Sequence, residues 1–240
     1  MKKVLQSRAI DSTDIDRDTN LTMQAINNIV VPQGLEYQAV CRGLVQAKAK
    51  GVRVIAVPIG DRHTQEVLAN YSQQWGDALL ITGLCGSLCE SHSVGDGVVV
   101  KSCSNLNGDR LNLDDELTTM IQHKLSVDAV HGLTSDRLIS QSSEKLKLAR
   151  EHQASIVDME GYGYISYLQQ QGAVAMLRVV SDDRQGDIPD LDRAIDERGQ
   201  LKNIPLAIAL CKQPVAAMRL IRGSITGLKA LQQITTRLFT

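Results

Sequence analysis

Short apolar runs alternate with stretches of helical periodicity along most of the chain. The apolar runs predict strands, and they cover residues 29–32, 52–59, 78–82, 98–100, 127–133 and 173–180. Between several of these runs, apolar residues recur at three- and four-residue steps, as in amphipathic helices. These helical stretches cover residues 35–51, 60–75, 140–152 and 162–172. The run AVAMLRVV is almost continuously apolar, as expected of a parallel strand that is buried on both faces.

This alternation predicts one domain over residues 27–240, with an α/β fold. We expect a three-layer α/β/α sandwich around a central mixed, largely parallel sheet, in which a hairpin over residues 94–100 is the non-parallel part. Residues 1–26 are polar, acidic in the middle and without a sustained period, so they are predicted to be an N-terminal extension. A short helix near residues 191–195, an apolar segment over 205–211 and a long helix from Pro214 are predicted to complete the chain.

Composition narrows the class of protein. The chain has 240 residues, 43% of them hydrophobic, and a net charge of -1, so it can bury a sizeable core and has no bulk electrostatic attraction to nucleic acid. No apolar run approaches the roughly 20 residues that cross a bilayer, and the start of the sequence lacks the apolar core of a signal peptide. Five cysteines, an odd number, fit a reducing compartment. We therefore expect a cytoplasmic protein.

Acidic residues follow two of the apolar runs. The short run Ile156-Val157 is followed by DMEG at 158–161, and the run over residues 173–180 is followed by SDD at 181–183. Because open α/β sheets bind ligands beyond the carboxyl ends of their strands, Glu160 and Asp182 are expected to face one crevice. The alternative interpretations are a helix N-terminal carboxylate for Glu160 and a surface loop acid for Asp182. Arg178 lies inside the apolar strand, so we expect it to pair with a buried carboxylate.

The stretch GLCGS, residues 83–87, is predicted to be a tight turn whose backbone can approach a sugar or an anion closely. It lacks the GxGxxG spacing of a dinucleotide site. A zinc site is an alternative use of the nearby residues Cys85, Cys89, His92 and Cys103. Their spacing is not that of the known zinc motifs, so we predict no metal site.

Three motifs carry a resemblance to a known family. VDMEG at 157–161, RVVSDD at 178–183, and ITGLCGSL followed by VGDGVVV within 81–100 resemble the nucleoside phosphorylase and nucleosidase superfamily. That superfamily includes methylthioadenosine/S-adenosylhomocysteine nucleosidases and purine nucleoside phosphorylases. Residues 190–231 resemble more narrowly its hopanoid-associated phosphorylase branch, which removes adenine from adenosylhopane. The resemblance implies an enzyme that cleaves a purine from a small-molecule nucleoside, and adenine is the expected purine. It also implies a homo-oligomer, a dimer.

The resemblance assigns roles to the acids. Asp182 would be the general acid at purine N7, and Glu160 would accept hydrogen bonds from the ribose hydroxyls. The reaction passes through an oxocarbenium-like transition state, in which electrons move into the leaving base and positive charge develops on the ribose. Acids are suited to both groups. Burial and the neighbouring Asp183 would raise the pKa of Asp182, as a general acid requires. The residues assigned to substrate binding are Met159, Ser181, Gly83, Cys85, Gly86, Leu138 and Asp158.

The nucleophile stays open between water and phosphate. Phosphorylases carry an arginine before the glycine of this stretch and a serine after it, where Ile81, Thr82 and Leu84 stand here, which favours water. Nucleosidases carry a glutamate on the first helix that activates water, and the matching catalytic position here is Gln38, an amide that cannot accept a proton. Glu36 is the alternative, although a helix places it on a different face. Phosphate is thus a candidate co-substrate, and no other cofactor is predicted.

The base pocket also departs from the family. Nucleosidases place an aromatic side chain over adenine in the loop that corresponds to residues 134–139, and TSDRLI offers Leu138 instead. The substrate therefore cannot be carried over from the resemblance. Gln38 and the missing aromatic residue keep open a second hypothesis, a non-catalytic nucleoside-binding protein of the same fold.

The C-terminal segment is cationic, since no acid follows Glu197. Its apolar residues recur at helical steps at Ile221, Ile225, Leu228, Leu231, Ile234 and Leu238. Arg222 and Lys229 lie beside this stripe. The segment is predicted to be an amphipathic helix that either packs its stripe on the core or lies on an anionic membrane as a peripheral contact.

Overall fold

The computed structural model describes residues 26–58, 64–71, 75–191 and 210–240. Within these residues the strands are β1 (Ile26–Pro32), β2 (Arg53–Val57), β3 (Ala78–Ser87), β4 (Gly97–Ser104), β5 (Arg110–Asn112), β6 (Asp128–Thr134), β7 (Ile156–Asp158) and β8 (Ala173–Asp182). The helices are α1 (Leu35–Ala47), α2 (Thr64–Ala69), α3 (Asp115–Leu125), α4 (Ser142–His152), α5 (Gly161–Leu168) and α6 (Pro214–Phe239).

Most predicted elements correspond to one of these. The short strand β5 was not predicted, and β1 begins at Ile26, one residue inside the predicted extension. Residues 1–25, the predicted helix beyond residue 191 and most of the apolar segment over 205–211 lie outside the described residues.

All eight described strands form one mixed sheet. Its order is β2-β1-β3-β7-β6-β4-β5, and β8 pairs with both β3 and β4. Pairing is parallel for β1 with β2, β1 with β3, β3 with β8, β4 with β6, and β6 with β7. It is antiparallel for β3 with β7, β4 with β5, and β4 with β8. The prediction of a mixed, largely parallel sheet is confirmed.

The prediction of a hairpin over residues 94–100 as the non-parallel part of the sheet is correct in part. Residues 97–100 belong to β4, which runs antiparallel to β8 and β5 and parallel to β6. Residues 94–96 form no strand, so β4 makes its hairpin with the following strand β5 and not within 94–100. In the loop between β3 and β4, Leu88 is buried against Leu133 and Val157.

Successive residues of the central strands enter two different apolar clusters. In β8, Leu177 packs in a cluster that also contains buried residues of α1, α3 and α6. Its neighbour Met176 packs in a second cluster with residues of α2 and α5. A two-residue alternation is what a strand covered on both faces requires. The three-layer α/β/α arrangement is therefore confirmed.

The glycine stretch over residues 83–87 continues β3 instead of turning. Its pairing with β8 extends through Leu84 and Cys85 to Gly86, and Gly86 and Ser87 also pair with β7. Hydrogen bonds to neighbours on both sides hold the segment extended, so the prediction of a tight turn was wrong. The extended stretch brings its backbone to the ends of β7 and β8.

Helix α6 packs closely on α1 and on the end of β8. A Cβ atom on Gly223 would lie 2.1 Å from the carbonyl oxygen of Ser181, so only glycine permits this approach. The C-terminal half of the predicted stripe is buried, since Leu231 and Leu238 are 0% exposed. Ile225, in the N-terminal half, is 63% exposed, so the stripe divides between the core and the surface. No helix within the described residues has the length and hydropathy to cross a membrane.

Candidate active site

A cavity of about 190 Å³ lies where the ends of β3, β7 and β8 meet the start of α1. Its lining consists of Glu36, Leu84, Cys85, Gly86, Arg137, Leu138, Ile139, Val157, Asp158, Met159, Glu160, Ser181 and Asp182. The residues named from the sequence that lie in this lining are Asp182, Glu160, Met159, Ser181, Cys85, Gly86, Leu138 and Asp158. Gly83 and Gln38 are outside it. The structure thus brings Glu160 and Asp182 to one cavity, although β3 lies between their strands.

Asp182 is buried at the end of β8, with a cationic partner. Its Oδ2 accepts a hydrogen bond from Nζ of Lys145, which also donates to the carbonyl oxygen of Asp183 at 2.9 Å. Ser181 Oγ is 3.3 Å from Asp182 Oδ1 and 3.3 Å from the carbonyl oxygen of Cys85, so its single proton serves one or the other. Burial raises the pKa of Asp182, and the charge and hydrogen bond of Lys145 act against that rise.

Lys145 was not predicted as part of the site. It lies on α4 and is 0% exposed. It precedes the buried Leu148 by three residues and so shares the inward face of the helix. A lysine on an inward helical face needs a buried anion, and this was the signal available in the sequence.

Asp158 lines the cavity, but the protein already uses both of its oxygen atoms. Oδ2 binds the guanidinium of Arg178 at 2.6 Å. Oδ1 accepts hydrogen bonds from Thr134 Oγ1 at 2.7 Å and from the Gly161 amide at 3.0 Å. The expectation that Arg178 pairs with a buried carboxylate is confirmed. Asp158 therefore fixes the turn that carries Glu160, and the geometry does not favour its predicted role as a substrate ligand.

Glu160 occupies the N-cap position of α5 and is 5% exposed. Its carbonyl oxygen accepts the first hydrogen bond of the helix from the Tyr164 amide at 3.0 Å. Its side chain makes no capping hydrogen bond, so the alternative of a helix-capping carboxylate is not what the structure has. The carboxylate lies beside Met159 in the cavity lining.

Glu36, and not Gln38, reaches the cavity from α1. Gln38 is exposed and outside the lining, because a step of two residues turns it to another face of the helix. Glu36 Oε1 accepts a hydrogen bond from the Leu84 amide at 2.5 Å. Burial raises the pKa of Glu36 to about 7, although the Leu84 amide and Arg178 oppose the rise. The structure therefore brings Glu36, the alternative named from the sequence, to the cavity and leaves Gln38 outside it.

Gly83 contributes to the geometry of the site because it has no side chain. A Cβ atom at this position would lie 2.6 Å from Arg178 Nη1 and 3.0 Å from Glu36 Oε1. Gly86 has a similar effect, since a Cβ there would lie 2.9 Å from Asp182 Oδ2. The two glycines of β3 thus allow three charged groups to approach the same backbone stretch.

Apolar side chains make up a further part of the cavity lining. They are Leu84, Leu138, Ile139, Val157 and Met159, and no aromatic residue is in this lining. Arg137 also lines the cavity, and its guanidinium is paired with Glu144 of α4. A lining that combines apolar side chains with a few polar groups is typical of a small-molecule site.

The cavity is rich in carboxyl groups. Four acids line it, and the two fully buried cations beside them, Lys145 and Arg178, are each bound to one acid. Arg178 also interacts electrostatically with Glu160 and Glu36. The arrangement can therefore stabilise positive charge in the cavity and can exchange protons at Glu36 and Asp182.

No protein-family model matches this sequence, and no curated protein matches it by sequence. Solved structures do match. The 5′-methylthioadenosine/S-adenosylhomocysteine nucleosidase of Helicobacter pylori superposes with a TM-score of 0.64 at 13% identity, over 88% of this chain and 96% of that one. The 5′-methylthioadenosine nucleosidase of Arabidopsis thaliana superposes with a TM-score of 0.64 at 14% identity, over 88% of this chain and 93% of that one. The futalosine hydrolase of Helicobacter pylori superposes with a TM-score of 0.59 at 15% identity, over 85% of this chain and 98% of that one. The chain therefore has the fold of these nucleosidases and of the hydrolase, which is the fold that the motifs predicted.

Proposed function

We propose that this protein is a purine nucleosidase, which uses water to cleave the N-glycosidic bond of an adenine nucleoside. The observation that carries the proposal is the placement of Glu36, Glu160 and Asp182 around one cavity, each in a different electrostatic environment. Three acids in these environments can serve the three parts of the reaction, which are the leaving base, the sugar and the water.

Asp182 serves the leaving base. As the bond between C1′ and N9 breaks, electrons move into the purine ring and N7 becomes more basic. A proton delivered there lowers the barrier to departure. Burial favours the protonated form of Asp182. Lys145 orients the carboxyl group of Asp182 and places an ammonium proton next to it. The pair is thus suited to hold one proton and release it to the base.

Glu160 and Met159 serve the sugar. The ribose acquires positive charge as the base departs, and a carboxylate stabilises that charge more in the transition state than in the ground state. Glu160 can also accept hydrogen bonds from the ribose hydroxyls, which fixes the ring. Met159 follows directly after Asp158, whose ion pair with Arg178 holds this turn in place.

Glu36 serves the water. A carboxyl group with a pKa of about 7 is substantially ionised at neutral pH and basic enough to take a proton from water as it attacks C1′. The Leu84 amide holds one of its oxygens, so the other can face the cavity. The products are the free base and the free sugar.

Water is favoured over phosphate by the charges of the lining. Phosphate sites use basic side chains or clusters of free amide groups. Within the described residues that line this cavity, the single basic side chain, Arg137, is already paired with Glu144. The nearby acids would repel a phosphate dianion. The same charges favour a cationic sugar.

Adenine is the base that the structural likeness favours. One solved structure of the Helicobacter pylori nucleosidase holds a 4-amino-pyrrolopyrimidine analogue, and that of Neisseria meningitidis holds methylthio-immucillin-A. In this chain, Leu138 and Ile139 would cover the base by apolar contact where an aromatic residue is absent from the lining.

Chromatography of free base tests the proposal. The protein is incubated with adenosine, 5′-methylthioadenosine, S-adenosylhomocysteine and inosine, each with and without phosphate. We expect adenine release that does not require phosphate. Release only with phosphate would indicate a phosphorylase. Binding by calorimetry without release on any substrate would indicate the non-catalytic nucleoside-binding alternative.

Asp182→Asn tests the leaving-group assignment. The amide cannot donate the required proton, so we expect kcat to fall by about 10² to 10⁴-fold, the usual contribution of general acid catalysis. Asp115→Asn is the matched control, because Asp115 is exposed in the first turn of α3, outside this cavity lining, and its activity should be kept. Circular dichroism confirms that both variants are folded. An Asp182→Asn variant with more than half of the activity would overturn the assignment.

A further inference from the structure

A second cluster of reactive side chains lies in the loop after β3. Cys89 Sγ is 3.1 Å from His92 Nδ1, and His92 Nε2 is 3.2 Å from Asp128 Oδ2 at the start of β6. His92 is 7% exposed, whereas Cys89 is half-buried and Asp128 is exposed. A nucleophile, a base and an acid that orients the base are therefore in line.

The hydrogen bonds fix which nitrogen of His92 can act as the base. A carboxylate only accepts hydrogen bonds, so Asp128 selects the tautomer with the proton on Nε2. Nδ1 then carries the free electron pair, and it faces the thiol of Cys89. Transfer of the thiol proton to Nδ1 gives a thiolate beside an imidazolium, whose charge Asp128 stabilises.

Two hydroxyl groups complete the surroundings of the sulfur. Ser91 Oγ lies 3.1 Å and Ser87 Oγ 3.9 Å from Cys89 Sγ. Burial raises the pKa of the Cys89 thiol, but the hydrogen bond from Ser91 and the charge of His92 outweigh burial, and the pKa is lowered. Burial instead raises the pKa of the Cys85 thiol well above its ordinary value and that of Cys103 to about 12. Cys89 is thus set apart from the core cysteines.

The sulfur faces a cavity of about 590 Å³ beside the candidate active site. Its charged and titratable lining consists of Cys89, Glu90, His92, Asp183, Arg184 and Asp187. Arg184 and Glu90 are paired with each other. Small polar molecules can therefore reach the sulfur without passing the cavity that holds Asp182.

We propose that Cys89 is a nucleophilic cysteine and a site of covalent modification by small electrophilic carbon compounds that enter this cavity. In the step, the thiolate sulfur forms a bond to the electrophilic carbon, the leaving group departs with its electron pair, and His92 keeps the thiol proton. For the probe iodoacetamide, the product is the carbamidomethyl thioether and iodide. No oxidant or metal takes part.

Competition between cysteines of the same molecule tests this proposal. The intact protein is treated with a limiting amount of iodoacetamide from pH 5.5 to 9, and labelling at each cysteine is measured by peptide mass spectrometry. Cys211 is exposed and serves as the internal reference. Each unit by which the pKa falls gives about tenfold more thiolate at low pH. Lower nucleophilicity reduces that gain to about threefold in rate. We expect labelling of Cys89 to exceed that of Cys211 at pH 6, by about threefold for each unit by which the pKa of Cys89 is lowered, and the ratio to fall as pH rises.

Three variants separate the roles. His92→Gln should remove the advantage of Cys89 at pH 6, and Asp128→Asn should reduce it in part. Ser143→Ala is the matched control, because Ser143 lines the same cavity and is not one of the residues whose side chains contact the cysteine sulfur, and it should change nothing. Labelling of Cys89 no faster than Cys211 at pH 6 would overturn the proposal, as would an unchanged ratio in the folded His92→Gln variant. These readouts do not depend on nucleosidase activity.

Discussion

At the residue scale, the acids of the candidate active site differ in the partners that surround them. Asp158 is bound by Arg178, Thr134 and a backbone amide, so the protein occupies both of its oxygen atoms. Asp182 has a buried lysine, and Glu36 has a single amide hydrogen bond at 2.5 Å. The fewer hydrogen bonds and cations a buried carboxyl group has, the more its protonated form is favoured. Glu36 and Asp182 are therefore the groups suited to exchanging protons.

Glu36→Gln should make the stability of the protein less dependent on pH. The pKa of Glu36 is raised from 4.5 to about 7, so between these values the folded state holds a proton that the unfolded state has lost. The contribution to stability is present below pH 4.5 and is lost as pH rises through about 7. At about 1.4 kcal/mol for each pH unit, the loss is up to about 3 kcal/mol.

Urea unfolding at pH 5 and pH 8 measures this effect. The free energy of unfolding should fall less between the two pH values in Glu36→Gln than in the wild type. Gln38→Ala, on the exposed face of the same helix, should behave as the wild type. Equal pH dependence in Glu36→Gln and the wild type would contradict the raised pKa. In activity assays, Glu36→Gln should also lose the rise in kcat around pH 7.

Lys145→Met should move the alkaline limb of the pH profile to higher pH. Lys145 opposes the raised pKa of Asp182, so its removal raises that pKa further and keeps the general acid protonated to higher pH. At pH values above the shifted pKa of Asp182, the variant should also lose about 3 to 5 kcal/mol of stability, because a buried charge is then left without its partner. The double variant Lys145→Met/Asp182→Asn, which leaves no buried charge, should recover part of that loss. An alkaline limb at its wild-type position would show that Lys145 only packs.

At the element scale, β3 and α6 together determine the geometry of the site. β3 pairs with β1, β7 and β8, and its glycines let Glu36, Arg178 and Asp182 come close. α6 lies against the end of β8 with no side chain at Gly223 or Gly227 to separate them. The last turn of α6 is tied to the helices beneath it, since Arg237 donates to the carbonyl oxygen of Leu125 at 2.7 Å.

Gly223→Ala should destabilise the protein, although alanine favours helices over glycine by about 1 kcal/mol. The new Cβ would lie 2.1 Å from the Ser181 carbonyl oxygen, so α6 must move away from β8. Overpacking of this kind costs about 1 to 3 kcal/mol. Thermal unfolding should place Gly227→Ala between Gly223→Ala and the wild type, because its Cβ would meet Leu84 Cδ2 at 3.1 Å.

Thr226→Ala, an exposed position of the same helix, is the control and should be nearly neutral. kcat should fall in Gly223→Ala, because Ser181 precedes the general acid. A higher unfolding temperature in Gly223→Ala would mean that the helix and the strand are not packed as closely as described.

At the scale of the whole molecule, the N-terminal half of α6 presents an apolar and cationic face. Val215, Met218, Ile221 and Ile225 are between 45% and 78% exposed. Arg219, Arg222 and Lys229 are exposed beside them, and the described part of α6 carries no acid. Exposed apolar residues flanked by cations fit an anionic membrane surface.

Sedimentation with lipid vesicles tests this contact. We expect the protein to sediment with vesicles that contain phosphatidylserine at low salt and to dissociate at high salt. Arg222→Glu/Lys229→Glu should abolish sedimentation and keep activity on a soluble nucleoside. Lys101→Glu/Lys147→Glu, with the same change of net charge on other elements, should keep sedimentation. A folded wild type that stays in solution would exclude the membrane contact, and a dimer in sedimentation equilibrium would then indicate a second copy on this face.

The sequence by itself determined the layers of the fold and two of the three acids. Alternation between strand and helix periods follows from local geometry, so it predicted the three-layer sandwich and the ends of β7 and β8. A lone arginine in an apolar strand was enough to predict the ion pair of Arg178. Glu160 and Asp182 were found because each lies at or just beyond the carboxyl end of a strand.

Only the tertiary structure decided which residues complete the site. Lys145 is 37 residues from Asp182, and Glu36 is 48 residues from the Leu84 amide. Such pairs depend on how distant elements pack, and helical periodicity in one element does not specify them. The same holds for the stretch over residues 83–87, where glycines predicted a turn. Strand pairing on both sides outweighs the local preference of glycine, and it holds this backbone extended beside the acids.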